Sequence, residues 1–246
     1  MKRLRTSLLL ALPCLVPLAS SLAESGEEAA NLVPLAAWQE AGSWTHAAKV
    51  VGSTSEKKWK SIQKGEGVLY NGSKDKANNL LSKMKHGDVD LTAEFMIPKG
   101  SNSGIYLMER YEVQIIDSCG KPDDQLKHGD CGGIYQRWDE SKEDPKQRGF
   151  EGTAPSTNAA TAAGTWQTFR IKFRAPRFDA EGKKTENARF LRVEHNGVVI
   201  HEDVEVTGPT RGGVSGPEVA TAPFKVQGDH GPVAFRKFSV KAAQYP

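Results

Sequence analysis

Cysteine is scarce. Three residues in 246 (Cys14, Cys119 and Cys131) exclude a scaffold built from disulfides, so any packed core must come from apolar side chains. Also missing is a run with sustained 3.6-residue periodicity and caps, which excludes a helical bundle. Past the first two dozen residues no apolar stretch approaches the roughly 20 residues a membrane span takes. Nor does one sign of charge prevail: 33 Lys and Arg face 30 Asp and Glu. Lys2, Arg3 and Arg5 have no acidic neighbours before residue 24, which leaves 30 against 30 in the remainder. That balance removes the electrostatic argument for a nucleic-acid partner or for a charged membrane surface, and no membrane insertion is expected.

What is present begins with a leader. A positive start, an apolar stretch from Leu8 to Leu18 and the small residues around Ser21 and Ala23 have the form of a cleaved signal peptide over residues 1–23. The protein is therefore expected to be secreted or periplasmic. A polar, alanine-rich spacer over 24–33 is expected to be disordered, with a single domain over 34–246. In an oxidising compartment Cys119 and Cys131 are expected to pair, closing a short ring worth about 3 kcal/mol. His128 and Asp130 lie nearby, so a metal site is the alternative there.

The dominant period along the domain is two. Val89, Leu91, Ala93, Phe95 and Ile97 alternate with polar neighbours, as do Phe169, Ile171 and Phe173, the mark of half-buried strands. Asn196-Gly197 between apolar runs signals a type I′ hairpin, and 233–240 suits a closing strand. Many short strands separated by turn signals argue an all-β sandwich or barrel. The stretches 139–164 and 207–221 are too long and polar for ordinary connections and read as functional or disordered loops.

Two windows could carry chemistry. In Arg110-Tyr111-Glu112-Val113-Gln114-Ile115-Ile116-Asp117, Glu112 and Gln114 share one strand face, with Cα atoms about 6–7 Å apart. Val113 and Ile115 take the other face. A β-bulge after Gln114 would bring Asp117 beside them and give the two carboxylates a glycosidase needs. The same spacing also suits a solvated strand face paired to Arg110. In Gln227-Gly228-Asp229-His230-Gly231, the imidazole could serve as a base near neutral pH, or be incidental to a turn. Tyr111, Tyr135 and Trp166 could stack on sugar rings, and Arg110 and Arg236 could bind hydroxyls or an oxyanion.

Taken in order, Asn102-Ser-Gly-Ile-Tyr-Leu107, Arg110 to Ser118, Cys131-Gly-Gly-Ile-Tyr135, Trp166-Gln-Thr-Phe169 and Phe173-Arg-Ala-Pro-Arg-Phe-Asp179 form a series. It continues through His195-Asn-Gly-Val198, Gly208-Pro-Thr210 and Val226 to Arg236. The series resembles the 3-keto-disaccharide hydrolase domain family, from about Trp59 to Val240. The resemblance implies a concanavalin A-like jelly-roll β-sandwich of two curved antiparallel sheets and a carbohydrate substrate. Glucanases of that fold carry Glu-x-Asp-x-x-Glu, and here Gln114 replaces the middle carboxylate. The implied chemistry is elimination: a C3 ketone acidifies the C2 hydrogen, a base removes it, and the C1 oxygen departs. Glu112 or His230 would be the base, and Arg110, Gln114 or Arg236 would face the oxyanion. Asn102 and Gln227 would hold hydroxyls. A divalent metal ion, calcium for example, could stand in for the arginine. A two-carboxylate hydrolase using Glu112 and Asp117, and a sugar-binding module without catalysis, are the other readings.

Overall fold

Alternation of apolar and polar residues becomes strand pairing. The structure, a computed structural model, describes residues 29–71 and 77–246. In chain order the strands are β1 (Ala30–Asn31), β2 (Trp44–Gly52), β3 (Trp59–Asn71), β4 (Leu80–His86), β5 (Val89–Met96), β6 (Asn102–Leu107), β7 (Tyr111–Ile116) and β8 (Arg137–Trp138). There follow β9 (Gly149–Phe150), β10 (Gln167–Arg174), β11 (Arg177–Phe178), β12 (Lys184–Glu186), β13 (Ala188–His195), β14 (Val198–Val206), β15 (Ala222–Val226) and β16 (Ala234–Ala242). Among the described residues helix is confined to three single 3-10 turns.

The strands form a jelly-roll sandwich of antiparallel sheets. The larger sheet runs β14-β13-β10-β5-β16-β3-β2, with β1 added on β16, and the smaller runs β4-β15-β6-β7. Along β5, Val89, Leu91, Ala93 and Phe95 are at most 2% exposed and point at the smaller sheet. Phe169, Ile171 and Phe173 do the same from β10, and Ile105, Val113, Ile115 and Phe224 answer from the other side. Asn196 and Gly197 join β13 to β14 with φ of 51° and 82°, the two positive angles a type I′ turn requires.

Two strands of the smaller sheet break the half-buried pattern. In β7 the outward residues Glu112 and Gln114 are 2% and 4% exposed, so both of its faces are covered. The cover comes from 132–141 and 207–213, parts of the two stretches that read as functional loops or adjoin them. A polar pair expected on an open cleft thus lies beneath a roof.

Three expectations are corrected or bounded here. The leader and the first part of the spacer fall on residues 1–28, outside the described residues. The rest of the spacer is folded: Ala30 pairs with Val240, and Leu32 and Val33 are buried, with Leu32 accepting the Trp38 indole N–H at 2.8 Å. Both side chains join the hydrophobic core, which explains why the fold includes residues before 34. Cys119 and Cys131 are free thiols, not a disulfide. Cys119 is exposed, whereas Cys131 is buried and burial pushes its thiol up to about 12. An ion pair from Lys121 to Asp130 at 2.6 Å and a Cys131 N–H to Ser118 Oγ bond at 3.2 Å close the loop instead.

Phe238 joins the sheets, its ring lying 5.9 Å from Trp38 and 5.7 Å from both Phe224 and Phe235. Phe238→Ala should lower unfolding free energy by about 3–5 kcal/mol in urea titration, because the surrounding rings cannot close the gap.

Candidate active site

The smaller sheet lays out its outer face in cross-strand rows. Lys225 of β15 pairs with Tyr106 of β6, which pairs with Glu112 of β7, whose carbonyl accepts the Tyr135 N–H at 3.1 Å. One step along, the Gln227 N–H bonds the Gly104 carbonyl, and Gly104 pairs with Gln114. At the far end stands Asn102, with His230 above it on the loop that leads into β16. These rows enclose a cavity of about 380 Å³ that brings together Asn102, Glu112, Gln114, Tyr135, Gln227 and His230. All six were singled out in the sequence.

Gly104 is the floor, and its lack of a side chain decides where Glu112 goes. A Cβ built on Gly104 would sit 2.1 Å from Glu112 Oε1 and 2.9 Å from Cδ, so the carboxyl lies where a side chain would otherwise be. There it is shut away from water, and burial pushes its pKa up to about 8. A hydrogen bond from Tyr106 and the positive charge of Lys225 oppose that rise, while Asp229 adds to it. Lys225 is also buried, which lowers its pKa, with Glu112 pulling the other way. Its Nζ lies 3.8 Å from the centre of the Tyr106 ring and donates to the Gly212 carbonyl, tying the roof to the sheet. Gln114 accepts the Ile115 N–H through Oε1 at 3.0 Å, which leaves its amide donors toward the cavity.

His230 is held by its neighbours. Nδ1 lies 2.7 Å from Asp229 Oδ1, and since a carboxylate only accepts, that nitrogen carries a hydrogen, so in the neutral ring the lone pair is on Nε2. The loop itself is clasped by Asn71, fully buried at the end of β3. Its side chain donates to the carbonyls of Gly228 and Gly231 at 3.2 and 2.7 Å and accepts the Val233 N–H at 2.7 Å.

Four expected site residues lie elsewhere. β7 pairs with β6 in unbroken register to Ile116, with no bulge after Gln114, so Asp117 follows the parity of Val113 and Ile115. It accepts the Gly100 N–H at 3.0 Å and pairs with Lys99 at 2.9 Å. Arg110 is buried under the roof, donating to the carbonyls of Met108 and Pro217 at 3.2 and 2.9 Å. Trp166 and Arg236 meet on the outer side of the larger sheet, the guanidinium 4.7 Å from the ring centre and bonded to Glu94. Tyr111, read as able to stack on a sugar ring, is instead part of the core. Among the described residues no three His, Cys, Asp or Glu side chains converge as metal ligands, and His128 packs edge-on against Tyr135 at 5.4 Å.

The structure adds Tyr106, Glu140, Arg211, Gly212 and Lys225 to the cavity and its wall. Tyr106 was within reach, because it shares parity with Asn102 and Gly104 on one strand. Lys225 shares parity with Gln227 in the same way. Glu140 and Arg211 sit in loops, where no period reports which way a side chain faces.

Two measurements check this geometry. Gly104→Ala should fold but swing Glu112 toward water, moving its carboxyl titration, followed by carbon NMR, down from about 8 toward the ordinary 4.5. In Glu112→Gln the penalty for ionising a buried carboxyl disappears. The parent loses that stability as pH rises from 4.5 through about 8. The variant should therefore melt higher at pH 9, by roughly 2–4 °C per kcal/mol relieved, and show no gain at pH 4.

Comparison with known proteins places the chain among carbohydrate-active families. The family model for the 3-keto-alpha-glucoside-1,2-lyase-like domain matches residues 33–241. No curated protein matches. A solved structure of a candidate glycosyl hydrolase from Parabacteroides distasonis ATCC 8503 superimposes with a TM-score of 0.59 at 23% identity, covering 88% of this chain and 84% of that one. A second candidate glycosyl hydrolase from the same organism gives 0.48 at 18% identity, over 82% of this chain and 94% of that one. At 23% identity the first of these likenesses is one of fold.

Proposed function

Since the chain belongs to the 3-keto-alpha-glucoside-1,2-lyase-like domain family, we propose that it cleaves the glycosidic bond of 3-keto-glycosides by proton abstraction at C2 and elimination. The observation that carries the reading is a buried carboxyl held in its protonated form in the same cavity as an imidazole with a free Nε2. One is a proton donor and the other a proton acceptor, and elimination next to a ketone needs one of each.

The roles follow from position. His230 Nε2 takes the C2 proton, and the electron pair moves onto the C3 oxygen as an enolate. The amide N–H groups of Gln114, Asn102 and Gln227 face that oxygen and lower its energy without having to reorient. The enolate then collapses, a C1–C2 double bond forms, and the C1–O bond breaks. Glu112 delivers its proton to the departing oxygen. Water adding across the new double bond gives the 3-keto sugar, so the net outcome is hydrolysis. Asp229 fixes the tautomer of His230 throughout.

The rival readings lose specific support. A two-carboxylate mechanism pairing Glu112 with Asp117 has its second carboxylate on the other face of the strand, tied to Lys99. A binding module gains nothing from a carboxyl kept out of water against its own solvation.

The purified protein should cleave a 3-keto-disaccharide and leave the unoxidised parent intact, with C2 hydrogen exchanging in deuterated solvent as seen by NMR. Glu112→Gln should reduce kcat about 10²–10⁴-fold. In the parent, kcat should fall as pH rises through about 8, where the acid loses its proton, and the variant should lack that limb. Equal cleavage of the unoxidised sugar without exchange would overturn the reading.

A further inference from the structure

The carboxyl of Glu112 sits low in the cavity. Its Oε1 lies 2.1 Å from where a Cβ on Gly104 would stand, so it rests against the backbone of β6. A side chain standing taller from the same floor would meet an incoming sugar first. Tyr106 is such a side chain, and it faces Glu112 directly across the β6–β7 ladder. Its hydroxyl bonds the Glu112 side chain and approaches the roof, where a Cβ on Gly212 would lie 2.9 Å from Oη. The Lys225 ammonium lies over the ring, 3.8 Å from its centre. Tyr106 and Glu112 line the same cavity.

The hydrogen bonds at Oη leave one hydrogen poorly used. A phenol has one hydrogen to give and lone pairs to receive another. When the protonated carboxyl of Glu112 donates to Oη, the phenol's own hydrogen must find a different acceptor. Among the described residues that acceptor is the Arg211 carbonyl at 3.5 Å, well beyond the roughly 2.7–2.8 Å of an ordinary O–H···O bond. An oxygen placed in the cavity would take this hydrogen at a shorter distance. Burial also pushes the Tyr106 phenol well above its ordinary range, so the hydrogen is there to be given.

We propose that Tyr106 is a catalytic residue whose hydroxyl hands a proton to the departing C1 oxygen and is refilled by Glu112. The assignment rests on the elimination reading and adds the carrier between its acid and its leaving group. In the step, the electron pair of the enolate forms the C1–C2 double bond, and the C1–O bond breaks onto oxygen. That oxygen takes the hydrogen of Tyr106, and Oη takes the hydrogen of Glu112. The phenol is neutral before and after, and the negative charge ends on the carboxyl. When water adds at C1, its proton returns by the same route and His230 gives back the C2 hydrogen. A carrier that is never left charged suits a place shut away from water.

The test is Tyr106→Phe, which keeps the ring beneath Lys225 and removes only the hydroxyl. Two rates are read on a 3-keto-disaccharide in deuterated water: exchange at C2, by NMR, and cleavage. Exchange depends on His230 and should stay within about threefold of the parent, while kcat for cleavage should fall about 10²–10⁴-fold. On a 4-nitrophenyl 3-keto-glycoside, whose leaving group departs as a stable anion without a proton, kcat should stay within about threefold. Cleavage of the disaccharide at the parental rate would overturn the assignment, with Glu112 then donating directly. Loss of exchange together with cleavage, or equal losses on both substrates, would also overturn it, because the hydroxyl would then only support the site. A parent that shows no C2 exchange would instead overturn the elimination reading, and the assignment with it.

Discussion

The carboxyl of Glu112 is kept from water, and the rest of the site follows from that. Burial of an acid is unfavourable unless its proton stays on or a partner neutralises its charge. Here both devices are present in part: the proton is held by burial, while Tyr106 and Lys225 soften the environment without ionising the group outright. The roof over β7 exists at this place because Lys225 grips Gly212, and Thr210 accepts the Glu112 N–H at 3.1 Å. Removing water therefore requires the loops, the loops require the lysine, and the lysine lies beside the carboxyl it helps to bury.

Much of this was legible in the sequence. Strict alternation in β5 and β10 marked an inward face because the sandwich core accepts only apolar side chains there. The Asn196-Gly197 turn was legible because few other pairs tolerate two positive φ angles. Glu112 and Gln114 were reachable because parity along a strand fixes which side chains share a face, whereas Tyr135 and His230 lie in loops and were reached through side-chain chemistry alone. Parity also explains the miss at Asp117. Its recruitment needed an inserted residue, and whether a register shifts is decided by the partner strand, not by the strand itself. Trp166 and Arg236 were misplaced for a related reason: composition cannot say which of two sheets a strand joins. The cysteines were judged by number and spacing, whereas a bond also needs both side chains to point at one another.

Arg110 shows how a residue of the right chemistry can serve the scaffold. Its guanidinium is spent on two loop carbonyls, and its own carbonyl accepts from Thr210. A cation placed to hold a roof is then unavailable to hold an oxyanion. Such a role has no signature in spacing, because one acceptor is a backbone carbonyl two residues away and the other lies more than a hundred residues on.

The clasp made by Asn71 separates two properties that most sites bind together. Glu112 belongs to β7, the end strand of its sheet, covered on both faces, while His230 rides a loop fastened by the buried Asn71 amide with one further bond each from Ser101 and Asn79. Distance between the two groups is therefore set in part by a side chain that belongs to neither. A lineage that lengthened or shortened the segment between Asn71's partners could retune that distance for a different ring or anomer and leave the sandwich interior unchanged. New specificity would then arise by adjusting a fastening rather than by rebuilding a pocket.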